Sequence, residues 1–89
     1  VYTLLKTPYM TLLYNRSMKN EVDIYFGNSL RKIRESRCMS QADFAEACSI
    51  SRAYYGRIER GEHSATVEMC DRIATALGLH ISDLFIELP

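Results

Sequence analysis

The side chains with most to offer chemically stand in one short run, Ser51-Arg52-Ala53-Tyr54-Tyr55-Gly56-Arg57-Ile58-Glu59-Arg60-Gly61. A guanidinium can donate two hydrogen bonds at once to O6 and N7 of a guanine, the commonest specific contact in the major groove of DNA. Arg52 is therefore the leading candidate for reading a base, against the blander alternatives of a phosphate contact or a solvated charge. Ala53 is small enough to meet a thymine methyl. Tyr54 has a ring for the same methyl and a hydroxyl for a base or phosphate. Arg57 lies one helical turn past Arg52 and Ala53, within reach of a base or the sugar–phosphate chain. Arg60 is a candidate phosphate contact, although a cation there also suits a helix C-terminus.

Such a set works only on a rigid helix, and the flanking residues predict one. Ser51 is a good N-cap, and Gly61 fits the left-handed residue that closes a helix. Adjacent helical residues point about 100° apart, so Tyr55 and Ile58 can be buried while Tyr54 and Arg57 are not. A shorter helix is predicted just before it. Ser40 caps that helix, Asp43 is the acid of a capping box, and Phe44, Ala45 and Cys48 face inward. Two short helices joined by a tight turn, the second cationic and aromatic, are how a protein sets a helix in the major groove.

Around this pair the pattern predicts three more helices. Phe26, Leu30 and Ile33 share one stripe, giving a first helix from about Val22 to Arg37, with Gly27 as its weak point. Val67, Cys70, Ile73, Ala74 and Leu77 form the stripe of a fourth, from Thr66 to Gly78. A short fifth is capped by Ser82. Residues 22–89 offer no convincing strand, so the predicted class is all-α. Leu84, Phe85, Ile86 and Leu88 make more apolar surface than one turn can hide, which points to a partner subunit. Residues 1–21 form an N-terminal arm whose structure the sequence leaves open. A hairpin of the repeated Thr-Leu-Leu at 3–5 and 11–13, a disordered arm and a helix starting after Pro8 all fit. A dimer through this tyrosine-rich arm is the alternative to one through the C-terminus.

With 89 residues, a single domain over residues 22–89 is expected after the arm. The net charge is zero but unevenly spread. Residues 24–61 carry seven Arg and Lys against four Asp and Glu, and residues 62–89 carry one against five. The potential at the docking face is what attracts phosphates. Cys38, Cys48 and Cys70 are odd in number and lack metal-ligand spacing, so reduced packing cysteines are expected, as in a cytosol. No apolar run approaches the ~20 residues that span a bilayer, and the opening segment lacks the pattern of a signal peptide. A cytoplasmic location is expected. The sequence shows no nucleophile–base pair, phosphate loop or metal cluster, so no catalysis, metal, cofactor or small-molecule ligand is expected.

Leu30-Arg31-Lys32-Ile33-Arg34, Ser40-Gln41-Ala42-Asp43-Phe44-Ala45, Ser51-Arg52, Ile58-Glu59-Arg60-Gly61 and Ile73-Ala74-Thr75-Ala76-Leu77-Gly78 stand at telling intervals. In that combination, residues 27–86 resemble the Cro/repressor-type (XRE-family) helix-turn-helix domain. Within it, Arg52-Ala53-Tyr54 followed by Ile58-Glu59-Arg60-Gly61 is similar to the controller proteins of restriction–modification systems. The resemblance implies a five-helix, lambda-repressor-like fold. It implies that Gln41, at a helix N-terminus, binds a DNA phosphate, with Ser51, His63 and Ser64 also on the backbone. It implies a partly buried Arg34–Glu59 ion pair that orients the recognition helix. The sequence departs from the pattern at Cys38 and Ser49, where turns of the family often have glycine, and at Gly56 within the recognition helix.

The resulting expectation is a sequence-specific regulator of transcription, binding double-stranded DNA as a homodimer on an approximately palindromic operator. The helices 52–60 of two copies would enter successive major grooves, ~34 Å apart. The competing expectation is a protein-interaction module on the same fold, an antirepressor or coactivator, which the acidic tail favours.

Overall fold

Three helices open with the same bond, a side-chain oxygen accepting from the backbone N–H three residues on. Ser40 Oγ accepts from Asp43 at 3.0 Å, Ser51 Oγ from Tyr54 at 3.1 Å, and Thr66 Oγ1 from Met69 at 3.0 Å. Asp43 returns the bond to the Ser40 N–H at 3.4 Å, completing a capping box. These caps set the starts of α2 (Gln41–Ala47), α3 (Arg52–Glu59) and α4 (Val67–Leu77). The computed structural model describes the backbone of residues 8–86 and side chains from Glu21 to Ile86. Residues 1–7 of the expected arm, and Leu88, lie outside the described residues.

The first helix, α1, runs unbroken from Pro8 to Ser36, not from Val22. Proline suits a first helical position, because its missing N–H has no partner there and its φ is preset. Between Pro8 and Ser36 there is no further proline and Gly27 is the only glycine, so no strong breaker stops the helix at Val22. Neither the hairpin nor the disordered arm describes residues 8–20.

The four helices end alike. In each, a left-handed residue stands one or two positions past the helix, and its own N–H and the next one bond back to the end of the helix, as Cys38 does to Glu35 and Met39 to Arg34. Gly61 and Gly78 suit that backbone, at φ 75° and 69°, but Cys38 and Ser49 adopt it as well, at 56° and 59°. A left-handed non-glycine costs about 1–2 kcal/mol, against about 0.5–1 kcal/mol of extra entropy lost by a glycine on folding. Cys38→Gly and Ser49→Gly are each expected to stabilise the fold by roughly 0.5–1 kcal/mol, seen as a higher midpoint in urea denaturation.

The core draws on every element. Phe26, Leu30 and Ile33 from α1 meet Phe44, Ala45 and Cys48 around α2, Tyr55 and Ile58 from α3, and Cys70, Ile73, Ala74 and Leu77 from α4. Phe44 and Tyr55 stack with centroids 4.7 Å apart. Cys48 and Cys70 are buried and unpaired, and Cys38 is exposed. Burial pushes the thiol pKa values of Cys48 and Cys70 up, which keeps them protonated.

A fifth α-helix does not form. The segment Ile81–Leu84 is one turn of 3-10 helix, and Ser82 lies within it instead of capping it. The His80 N–H bonds to Asp83 Oδ2 at 3.0 Å. One turn suffices to drop Leu84 into the core, and a longer helix would have to meet the cost of nucleation in a very short segment. Leu84 is 0 % exposed, so it belongs to the core and not to a subunit contact. Phe85 stacks on Phe26 at 5.2 Å, and Ile86 remains exposed. Among the described residues there is no strand, and no helix is long and apolar enough to cross a membrane.

Candidate nucleic-acid interface

The cap at Ser51 fixes the rotation of α3 about its axis, and that rotation sorts its side chains. Tyr55, Gly56, Ile58 and Glu59 are buried, whereas Arg52, Ala53, Arg57 and Arg60 are exposed. Tyr54 is half-buried, its ring edge against His63 at 5.1 Å between centroids. The exposed face borders an open cleft of about 590 Å³ lined by Gln41, Arg52, Ala53, Gly56, Arg57 and Arg60. The cleft therefore joins the N-terminus of α2 to the outer face of α3. Its floor is the bare backbone of Gly56. A Cβ there would stand 3.0 Å from an Arg60 guanidinium nitrogen and 3.9 Å from Gln41 Oε1.

Behind the cleft lies an ionic knot that holds α3 to α1. Arg34 Nε and Nη2 donate to the two oxygens of Glu59 at 2.9 and 2.8 Å, and Arg34 Nη1 donates to the Met39 carbonyl at 3.0 Å. The Glu59 side chain is 4 % exposed and that of Arg34 14 %. Burial alone would raise the pKa of the Glu59 carboxyl. Hydrogen bonds from Arg34 and Gln41, with the Tyr55 hydroxyl nearby, outweigh it and hold the group below its ordinary range. The same bond pushes the Arg34 guanidinium further up. Burial pushes the Tyr55 phenol up, so it stays protonated. Its hydroxyl finds no partner at hydrogen-bonding geometry.

Gln41 is tied into this knot, which the sequence did not reveal. Its Nε2 donates to Glu59 Oε1 at 3.1 Å. A carboxylate accepts only, so the amide is oriented with its nitrogen inward. One N–H and the carbonyl oxygen remain for a ligand in the cleft. Ser51 keeps its hydroxyl proton free to donate, since the oxygen only accepts from Tyr54.

The loop after α3 is more engaged than its candidate residues implied. Ser64 Oγ donates to the Asp23 carboxylate at 2.7 Å, which takes up the proton that a phosphate contact would use. His63 Nδ1 lies 2.8 Å from the Ser64 carbonyl. A carbonyl only accepts, so Nδ1 carries the hydrogen. Arg60 is clasped by Glu62, with Nε to Oε2 at 2.8 Å. Asp23 and Glu62 were absent from the candidate set, because both bonds depend on how the chain turns after Gly61. Among the described residues no group of three or more His, Cys, Asp or Glu could hold a metal ion.

The sequence matches the HTH_3 helix-turn-helix family over residues 30–84. It is 34 % identical over 70 residues to the control protein C.MunI of a Mycoplasma species, covering 78 % of this chain and 95 % of that protein. It is 37 % identical over 68 residues to the control protein C.BamHI of Bacillus amyloliquefaciens, covering 75 % and 84 %. The crystal structure of the restriction–modification controller protein C.AhdI from Aeromonas hydrophila superposes with a TM-score of 0.67 at 32 % identity, over 71 % of this chain and 96 % of that one.

Proposed function

On the premise that this chain belongs to the HTH_3 (XRE-type) helix-turn-helix family of DNA-binding transcription regulators, we propose that it is a sequence-specific controller of a restriction–modification locus. The family is not enzymatic. The proposed unit is a homodimer on an approximately palindromic operator, with α3 of each copy in the major groove. The observation that carries this reading is the outward face of α3: Arg52, Ala53 and Arg57 border the cleft while Tyr55 and Ile58 anchor the same helix in the core. Arg52 is assigned to a guanine edge, Ala53 and Tyr54 to thymine methyls, and Arg57 to a base or the adjoining backbone. Gln41, Ser51 and Arg60 are assigned to phosphates, with His63 and the Ser64 backbone beside them. Phe85 and Ile86, with Leu88, are the proposed dimer contact.

Selection of bound sites from random duplexes tests this directly, because it returns half-site, spacing and symmetry together. Half-sites about one helical turn apart are expected. On the selected duplex, Arg52→Ala and Arg57→Ala are each expected to lose about 1–3 kcal/mol of binding, with relaxed preference at the base pair each one reads. Affinity should fall steeply with salt as displaced counterions are released. Folded protein that binds duplex with no salt dependence, or equally well without both arginines, points to the protein-interaction module instead.

A further inference from the structure

Glu62 has no part in the proposed interface, yet it holds one of the interface cations. Arg60 Nε donates to Oε2 at 2.8 Å and Nη2 to Oε1 at 3.2 Å, a two-pronged clasp. Two glycines make room for it. Left-handed Gly61, at φ 75°, reverses the chain so that residue 62 returns alongside residue 60. Gly56 leaves a notch in α3, and an Arg60 guanidinium nitrogen lies 3.0 Å from where a Cβ would stand. The guanidinium thereby lies against Gly56, in the cleft that Gln41 and Arg57 also line. Both partners stay more than half exposed, at 55 % and 56 %. An exposed pair adds little to folding and can exchange partners freely.

A carboxylate and a phosphate offer the same paired acceptors to an arginine fork. The hydrogen bond from Arg60 holds the Glu62 carboxyl below its ordinary range, so the competitor is ionised under the conditions in which DNA is bound. We propose that Glu62 is an internal phosphate mimic that limits the sequence-independent part of DNA affinity by competing for Arg60. The inference rests on the proposed role of Arg60 as a phosphate contact. To engage a phosphate, Arg60 must first release Glu62, so the ion pair offsets much of what that contact contributes. The base contacts of α3 do not pass through Arg60, so the brake acts equally on every sequence.

The test is a double-mutant cycle of Glu62→Gln and Arg60→Ala, read by fluorescence anisotropy as a salt titration. The probes are the selected duplex and a duplex of unselected sequence. Glu62→Gln is expected to tighten both by the same factor, roughly 2–5-fold at low salt. Its log–log salt slope should steepen by up to about 0.9, the limit set by one phosphate that Arg60 otherwise shares with Glu62. In the Arg60→Ala background the gain should vanish. A gain that persists without Arg60 overturns the proposal, since it would reflect only the removal of a negative charge near DNA. An unchanged affinity in Glu62→Gln also overturns it, while leaving the proposed function intact if the unaltered protein binds both probes. Failure of the unaltered protein to bind either duplex sinks both. Circular dichroism confirms that each variant is folded.

Discussion

Glu59→Ala is expected to cost the fold on the order of 3 kcal/mol, a large share of the ~5–15 kcal/mol that holds a small domain together. The loss comes from what remains more than from what is removed. Arg34 keeps its charge at a site only 14 % exposed and retains the Met39 carbonyl as its described partner. Gln41 loses the acceptor that orients its amide. Urea denaturation should show a lower midpoint with an unchanged slope, and a loss below half a kcal/mol would mean that the pair contributes nothing. The acid limb of stability carries the same signature. In the fold the Glu59 carboxyl sits below its ordinary value of 4.5, so the unfolded chain binds the proton more readily. Its contribution is complete above that value and drains away as pH falls through the lower, folded one. Glu59→Gln should flatten that limb.

What the sequence made legible is what local rules decide. Ser40, Ser51 and Thr66 announce their helices because a side-chain cap involves residues three apart. The split of Tyr54 from Tyr55 follows from helical rotation alone. The departures at Cys38 and Ser49 likewise turned out to be left-handed residues at helix ends. The failures share another cause. The start of α1 at Pro8 was obscured because apolar side chains and tyrosines without a clear period fit a hairpin or a helix equally well. Leu84 looked like surplus surface because a stripe count cannot see that one 3-10 turn folds back onto the core. The Gln41–Glu59, Ser64–Asp23 and Arg60–Glu62 bonds depend on how helices and loops meet, and spacing does not encode that. They change the interface most: one orients a candidate phosphate ligand, and the other two occupy donors that looked free.

Gly27→Ala sets two effects of opposite sign against each other, and the geometry decides which prevails. On helix propensity alone, alanine in the interior of α1 should stabilise by about 1 kcal/mol. Gly27, however, lies where α1 crosses the last turn of α3. A Cβ there would collide with the Glu59 carbonyl oxygen and stand 2.6 Å from the Ile58 carbonyl oxygen and 2.8 Å from the Glu59 carbonyl carbon. These are backbone atoms of a helix anchored by Ile58 and by the Arg34–Glu59 bonds, so no side chain can rotate away to relieve the clash. Overpacking of this kind costs about 1–3 kcal/mol or more, enough to outweigh the propensity gain. Net destabilisation is therefore expected, and Gly27→Val should be worse. The displacement also falls on the helix proposed to read DNA, so operator affinity should drop under conditions where the variant remains folded. A Gly27→Ala protein that is more stable than the parent and binds its operator unchanged would show that α1 and α3 do not approach so closely. The positioning of Arg52 and Arg57 would then need another source.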